Sequence, residues 1–222
     1  VDKVDAEEAA GIVQRMMTVL LTTVPSSGAT GANARAAISD VKTNAYVWLR
    51  NNTLGVPLNN AFLMARDNGA TYQNIEHVRQ SVMTENPTTV GGMLTMVSGI
   101  NLCLATESEI IATTTFISRQ DVDAMKVAVR PPFEDSVEVA ADEMDQIGFQ
   151  AVVALYGALI NHLVTTARPL PRLIGYRFAK IMPTLVIAQR LYADASRADE
   201  VRNENKIVHP AFCPLIGVAL SA

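Results

Sequence analysis

Only two cysteines, Cys103 and Cys213, occur in the 222 residues, and both lie among apolar neighbours. With no Cys-x-x-Cys and no Cys/His cluster, a structural zinc site is not expected; two buried free thiols in a reducing compartment are. Gly-x-Gly-x-x-Gly and Walker A loops are missing, so a nucleotide phosphate has no cradle. Gly-x-Ser-x-Gly and His-Glu-x-x-His are missing as well. The three histidines, His77, His162 and His209, are far apart in sequence. His162, on an apolar helix, is expected as a satisfied core histidine. No enzyme, metal or other cofactor is therefore expected. Aromatics are scarce, at 5%, which suits helices packed closely through small side chains. The chain starts at Val1 with no signal-peptide pattern, and is expected to be a processed product or a part of a longer polypeptide.

What is present is apolar. Hydrophobic residues make up 49% and charged residues 18%, which excludes a disordered tail and allows a sizeable core. The net charge of −4 argues against a protein that coats itself in nucleic acid. Charge is unevenly placed. Residues 1–167 hold 10 Lys and Arg against 18 Asp and Glu, whereas residues 168–222 hold 8 against 4. That step from acidic to basic predicts a boundary near Arg168 and two surfaces with different partners. The expected organisation is a helical domain over 1–168 and a small α+β module over 169–222.

Helical spacing of Ala9, Ile12, Val13, Met16, Met17, Leu20 and Leu21 predicts a first helix from Asp5 to Val24. A second is predicted from about Asn33 to Asn51, and a shorter one after Val56-Pro57, stopped by Asn68-Gly69. Thr71 is placed to cap a helix through Met83. Residues 86–106 and 146–167 are free of Asp, Glu, Lys and Arg, long enough to cross a bilayer. Both contain internal polar residues and lack aromatic belts and basic flanks. They read as central helices of an all-α domain, with no membrane insertion. From Glu134 to Asp145 six acids occur without a base, directly after Pro131-Pro132. Glu138, Asp142 and Asp145 share one helical face. The expected reason is a helix starting at the prolines, whose first turns attract acids through the macrodipole.

After Leu170-Pro171 the pattern changes. Alternation over 172–179 predicts a strand, Pro183 a helix reaching Tyr192, and Ser196 with Asp199 and Glu200 a second short helix to about Asn205. Leu215 to Leu220 predicts a closing strand. The fold class is thus mainly α: a helical body followed by a small β-α-α-β module. Tyr192, Val201 and Phe212 are expected in the core of that module. Asp194 turns the chain, Arg197 and Glu200 lie on the solvated side, Asn205 ends its helix in the left-handed conformation, and Pro210 fixes the exit.

The run "LPRLIGYRFAKIMPTLVIAQRLYADASRADEVRNENKIVHPAFCP" resembles the C-terminal end of the DNA circularisation protein N family of Mu-like bacteriophages. The shared features are Leu170-Pro171, Pro183, Tyr192 with Asp194, Arg197 to Glu200, Asn205, and His209 to Pro214 with its Pro210 and Phe212. The module is also similar to LysM, which has a Tyr-Gly-Asp turn and a following Asn between two strands; Ala193 stands where LysM has Gly. The family resemblance implies a virion protein of a contractile tail, assembled in the bacterial host cytoplasm and placed where tube meets baseplate. It implies a missing β-rich N-terminal domain. The implied partners are copies of itself in a symmetric ring, other tail and baseplate proteins, and the tape measure. Docking of the basic module onto Glu138, Asp142 and Asp145 of a neighbour fits that role. Two alternatives are DNA binding in circularisation and a LysM module that contacts peptidoglycan.

Overall fold

The structure, a computed structural model, describes residues 2–25, 28–142 and 146–221. Seven helices come first: α1 Lys3–Thr23, α2 Ala29–Arg50, α3 Gly55–Asp67, α4 Tyr72–Met83, α5 Val90–Thr113, α6 Arg119–Asp142 and α7 Gln146–Ala167. Strand β1 Leu173–Arg177, helix α8 Thr184–Tyr192, helix α9 Ala198–Glu204 and strand β2 Ile216–Leu220 follow, with a 3-10 turn over Ala195–Arg197. The fold is mainly helical, with a small β-α-α-β module at its C-terminal end. Two compact units divide the chain. One holds the residues up to Thr114 with Arg130–Leu159; the other holds Thr115–Val129 with the residues from Ile160 onward. The unit that contains residues 169–222 therefore also takes in the first part of α6 and the end of α7.

In the first unit α1 is the central helix, packed by α2, α4 and α5. Ala6, Ala9, Ala10, Val13, Met16, Met17 and Leu20 are buried at helical spacing, each larger side chain contributing about 1.5–3 kcal/mol of hydrophobic stabilisation. Close approach of α1 and α5 explains Gly91-Gly92. A Cβ on Gly91 would lie 2.9 Å from the Asp5 Cβ, and one on Gly92 would meet the Glu8 carboxylate and lie 3.0 Å from the Pro87 Cβ. The Glu8 carboxylate accepts from the Thr88 and Thr89 N–H groups, each at 2.8 Å, and from both hydroxyls. Thr89 in turn caps α5 by accepting from Gly92 N at 3.0 Å.

Local signals account for the helix ends. In α3, Pro57 occupies the first turn, where its missing N–H has no intrahelical acceptor. Asn68 caps that helix and Gly69, at φ +90°, takes the left-handed step after it. Thr71 forms a capping box with Asn74 and α4 ends at Met83, as the sequence predicts. The helix predicted from Asn33 begins earlier, at Ala29.

Two expectations fail in α6 and α7. Pro131 and Pro132 do not start a helix; they lie inside α6. Each removes a donor from the ladder, and the burial of Val129 and Phe133 on either side offsets the loss. Glu134, Asp135, Glu138 and Asp142 therefore occupy the second half of a long helix, away from its N-terminal dipole. Helix α7 is not a central core helix either: Val152, Leu159 and Leu163 are buried, while Ile147 is 81% exposed and Val153 and Val164 are exposed as well. By length and composition both α5 and α7 are long and apolar enough to span a bilayer.

In the second unit β1 and β2 pair antiparallel, from Leu173 opposite Leu220 to Arg177 opposite Ile216. Tyr176, Ile187, Ala188, Ala198, Val201, Ile207, Cys213 and Ala219 form its core. Each outer edge of the sheet is met by a side-chain carboxamide. Gln120 of α6 accepts from Leu173 N at 2.8 Å and donates to Leu173 O at 3.3 Å. Asn205 accepts from Val218 N at 2.8 Å and donates to Val218 O at 2.7 Å. An amide paired this way imitates one residue of a neighbouring strand and blunts an edge open to pairing with other chains.

Candidate functional site

The resemblance residues converge on the turn between α8 and α9. Ala193 adopts φ 56°, ψ 19° at the end of α8, a left-handed conformation that costs an L-residue with a Cβ about 1–2 kcal/mol. This is the physical reason a glycine suits that position. Asp194 then accepts from the Ser196 N–H at 2.9 Å and the Ser196 hydroxyl at 2.7 Å, bonds that hold its carboxyl below the usual range, the hydroxyl most. Arg197 lies with its guanidinium carbon 3.8 Å from the Tyr192 ring centroid. Its Nε and Nη2 donate to Glu200 at 2.9 and 2.8 Å. Ala198 and Val201 face the core. Tyr192, Asp194, Arg197 and Glu200 thus form one connected turn, spent on holding α8 to α9.

The rest of the motif departs from expectation. Asn205 is not left-handed: its φ is −98°, and Lys206, at φ 51°, takes that step. Asn205 instead bonds the backbone of Val201 and both polar groups of Val218, tying α9 to β2. Phe212 is not a core anchor: it is 69% exposed, its ring centroid 5.2 Å from that of His209. The chain is pinned on either side of it. Pro210 O accepts from Thr184 N at 2.8 Å, and Cys213 N donates to Met182 O at 3.2 Å. These bonds turn the Cys213 side chain inward and leave Phe212 outside. Exposed Val208, Leu215 and Ile216 occur in the same stretch.

Of the expected interface acids, Glu138 is exposed on α6. Asp142 is the last residue of that helix, and Asp145 lies outside the described residues. His162 is exposed, as are His77 and His209, because α7 turns Leu159 and Leu163 inward and leaves position 162 on the open side. Cys103 and Cys213 are free and buried, as expected.

A second cluster escaped sequence reasoning. Arg79, 4% exposed, donates through Nε and Nη2 to Glu76 at 2.7 and 2.8 Å. Glu107, 1% exposed, lies beside them and hydrogen-bonds Glu76, leaving its Oε1 without a partner among the described residues. Burial, the charge of Glu76 next, pushes the Glu107 carboxyl up to about 8, although Arg79 opposes them. Burial works against ionised Glu76 too, but the Arg79 fork holds it below the usual carboxylate range. The Cys103 thiol is raised by its burial and then by Glu107, so it is a poor nucleophile. This cluster can store a proton inside the helical unit. The available signal was charge on an apolar face: Arg79 follows Ile75 by four residues, and Glu107 sits midway between Cys103 and Ile111.

Among the described residues no three His, Cys, Asp or Glu side chains are grouped to hold a metal. No protein-family model and no curated protein matches the chain.

Proposed function

We propose that this protein is a structural subunit of a contractile phage tail, seated where tube meets baseplate and acting through ring assembly and docking of neighbouring tail proteins. The observation that carries the reading is the C-terminal module. Tyr192, Asp194, Arg197, Glu200 and Asn205, the residues behind the resemblance to the DNA circularisation protein N family, are all committed to holding turn, helix and strand together. Its outer surface presents Val208, Phe212 and Ile216, apolar side chains suited to contact with another protein. The exposed apolar residues of α7 support the same reading, since a ring would give them cover.

Reversing charge with Glu138→Lys, Asp142→Lys and Asp145→Lys in the phage tests the docking role. The purified variant should melt like the parent while tail assembly fails. Infectious, contractile tails built from the triple variant would refute docking through this face. Salt-sensitive DNA binding, or capture on cell-wall sacculi, by a protein absent from virions would favour the circularisation or peptidoglycan role instead.

A further inference from the structure

Within the second unit, an open groove of about 470 Å³ is lined by Arg119, Gln120, Asp123, Lys126, Arg168 and Arg172, with Val164 and Ala167 at its wall. Four cations face one carboxylate there. Arg119 is occupied with backbone: its Nε donates to Leu170 O at 2.7 Å and its Nη2 to Arg168 O at 2.9 Å, which folds the Arg-Pro-Leu-Pro segment against the start of α6. Lys126 pairs with Asp123 at 3.0 Å. Among the described residues, Arg168 and Arg172 have no carboxylate within ion-pair distance, so both guanidinium groups are free to bind an anionic partner. The same chain carries the complement. From Pro131 to Asp142 there are four acids and no base; Asp135 and Glu138 are exposed on α6, as is Glu134, which pairs with Arg130 of its own helix at 2.7 Å.

We infer that this groove is the receiving half of a head-to-tail contact, and that its occupant is the acidic second half of α6 from another copy of this chain. The inference rests on the proposed ring assembly and gives it a specific contact. A basic surface on one unit and an acidic helix on the other make a heterologous, self-propagating interface, the kind that closes into rings. Guanidinium forks suit carboxylates spaced along a helix, and charge complementarity of this sort sets orientation and register. Because both partners are exposed, the contact weakens as salt screens it.

Sedimentation of the purified chain at about 50 mM and about 500 mM NaCl tests this. Association should be stronger at low salt and fall about tenfold in Arg168→Gln/Arg172→Gln and in Glu134→Lys/Glu138→Lys. Neither pair lies in a core, and circular dichroism verifies folding. Mixing Arg168→Glu/Arg172→Glu with Glu134→Lys/Glu138→Lys should restore association, because each offers the charge the other lacks. Wild-type-like association of every variant overturns the inference and leaves the ring to another surface. A wild type that stays monomeric at both salts, or a mixture that fails to associate, also overturns it, while the virion experiment decides the tail role separately. A labelled single-stranded oligonucleotide that binds the wild type, and is lost with Arg168 and Arg172 while self-association persists, assigns the groove to nucleic acid and overturns it too.

Discussion

Replacing Glu107 with Gln tests whether a proton is stored in the helical unit. The folded carboxyl is pushed up to about 8 from an ordinary 4.5. Below the lower value both folded and unfolded chains hold the proton, and the group contributes nothing to pH dependence. Between the two values the folded chain keeps a proton that the unfolded chain releases, so stability falls as pH rises, at up to about 1.4 kcal/mol per pH unit. Integrated from pH 5 to pH 7, the loss is about 2.5 kcal/mol. Gln keeps a donor for Glu76 and cannot ionise, so the variant should lack this slope. Urea titrations at several pH values, followed by the single Trp48 of α2, which packs on the same core, give the difference between parent and variant. Glu8 does not interfere: Thr89 and Thr88 hold its carboxyl at about 2, so its contribution is lost only as pH falls from 4.5 toward 2. A difference flat to within about 0.5 kcal/mol between pH 5 and pH 7 would mean that Glu107 is not held protonated in the folded chain.

Two further outcomes follow from the C-terminal module. Ala193→Gly should stabilise it by about 0.5–1 kcal/mol, because glycine accepts the left-handed conformation without a Cβ penalty; a lower Tm on thermal melting contradicts this. Phe212→Ala should change stability by less than about 0.5 kcal/mol, the effect of an exposed side chain. A loss of about 3 kcal/mol or more in denaturant titration would put the ring in the core after all.

Much of the fold was legible where chemistry is local. Thr71 and Asn74 form a cap that depends on four consecutive residues, and Asn68-Gly69 marks a stop for the same reason. The first strand was readable from alternation and the second from the apolar run at Leu215 to Leu220, the short helices from Pro183 and from Ser196 with Asp199 and Glu200. Pro131-Pro132 misled because proline at a helix start is a statistical preference, and burial of Val129 and Phe133 outweighs it. Phe212 misled because a loop has no periodicity: the bonds from Pro210 and Cys213 to the segment before α8 decide which neighbour points inward. Left-handed geometry at Lys206 rather than Asn205 reflects a long-range demand, since the Asn205 amide is needed at Val218. Arg79 and Glu107 went unread because pairing with Glu76 joins two helices, and no single segment records it. The groove at Arg168 and Arg172 is assembled from α6, α7 and the segment before β1, so composition showed its charge but not its shape.

The most direct measurement is a symmetric reconstruction of purified tails, with the chain located by labelling its C-terminal module. Multiple copies are expected in a closed ring where the tube meets the baseplate, each touching its neighbour. Virions that assemble, contract and infect while containing none of this protein would contradict it.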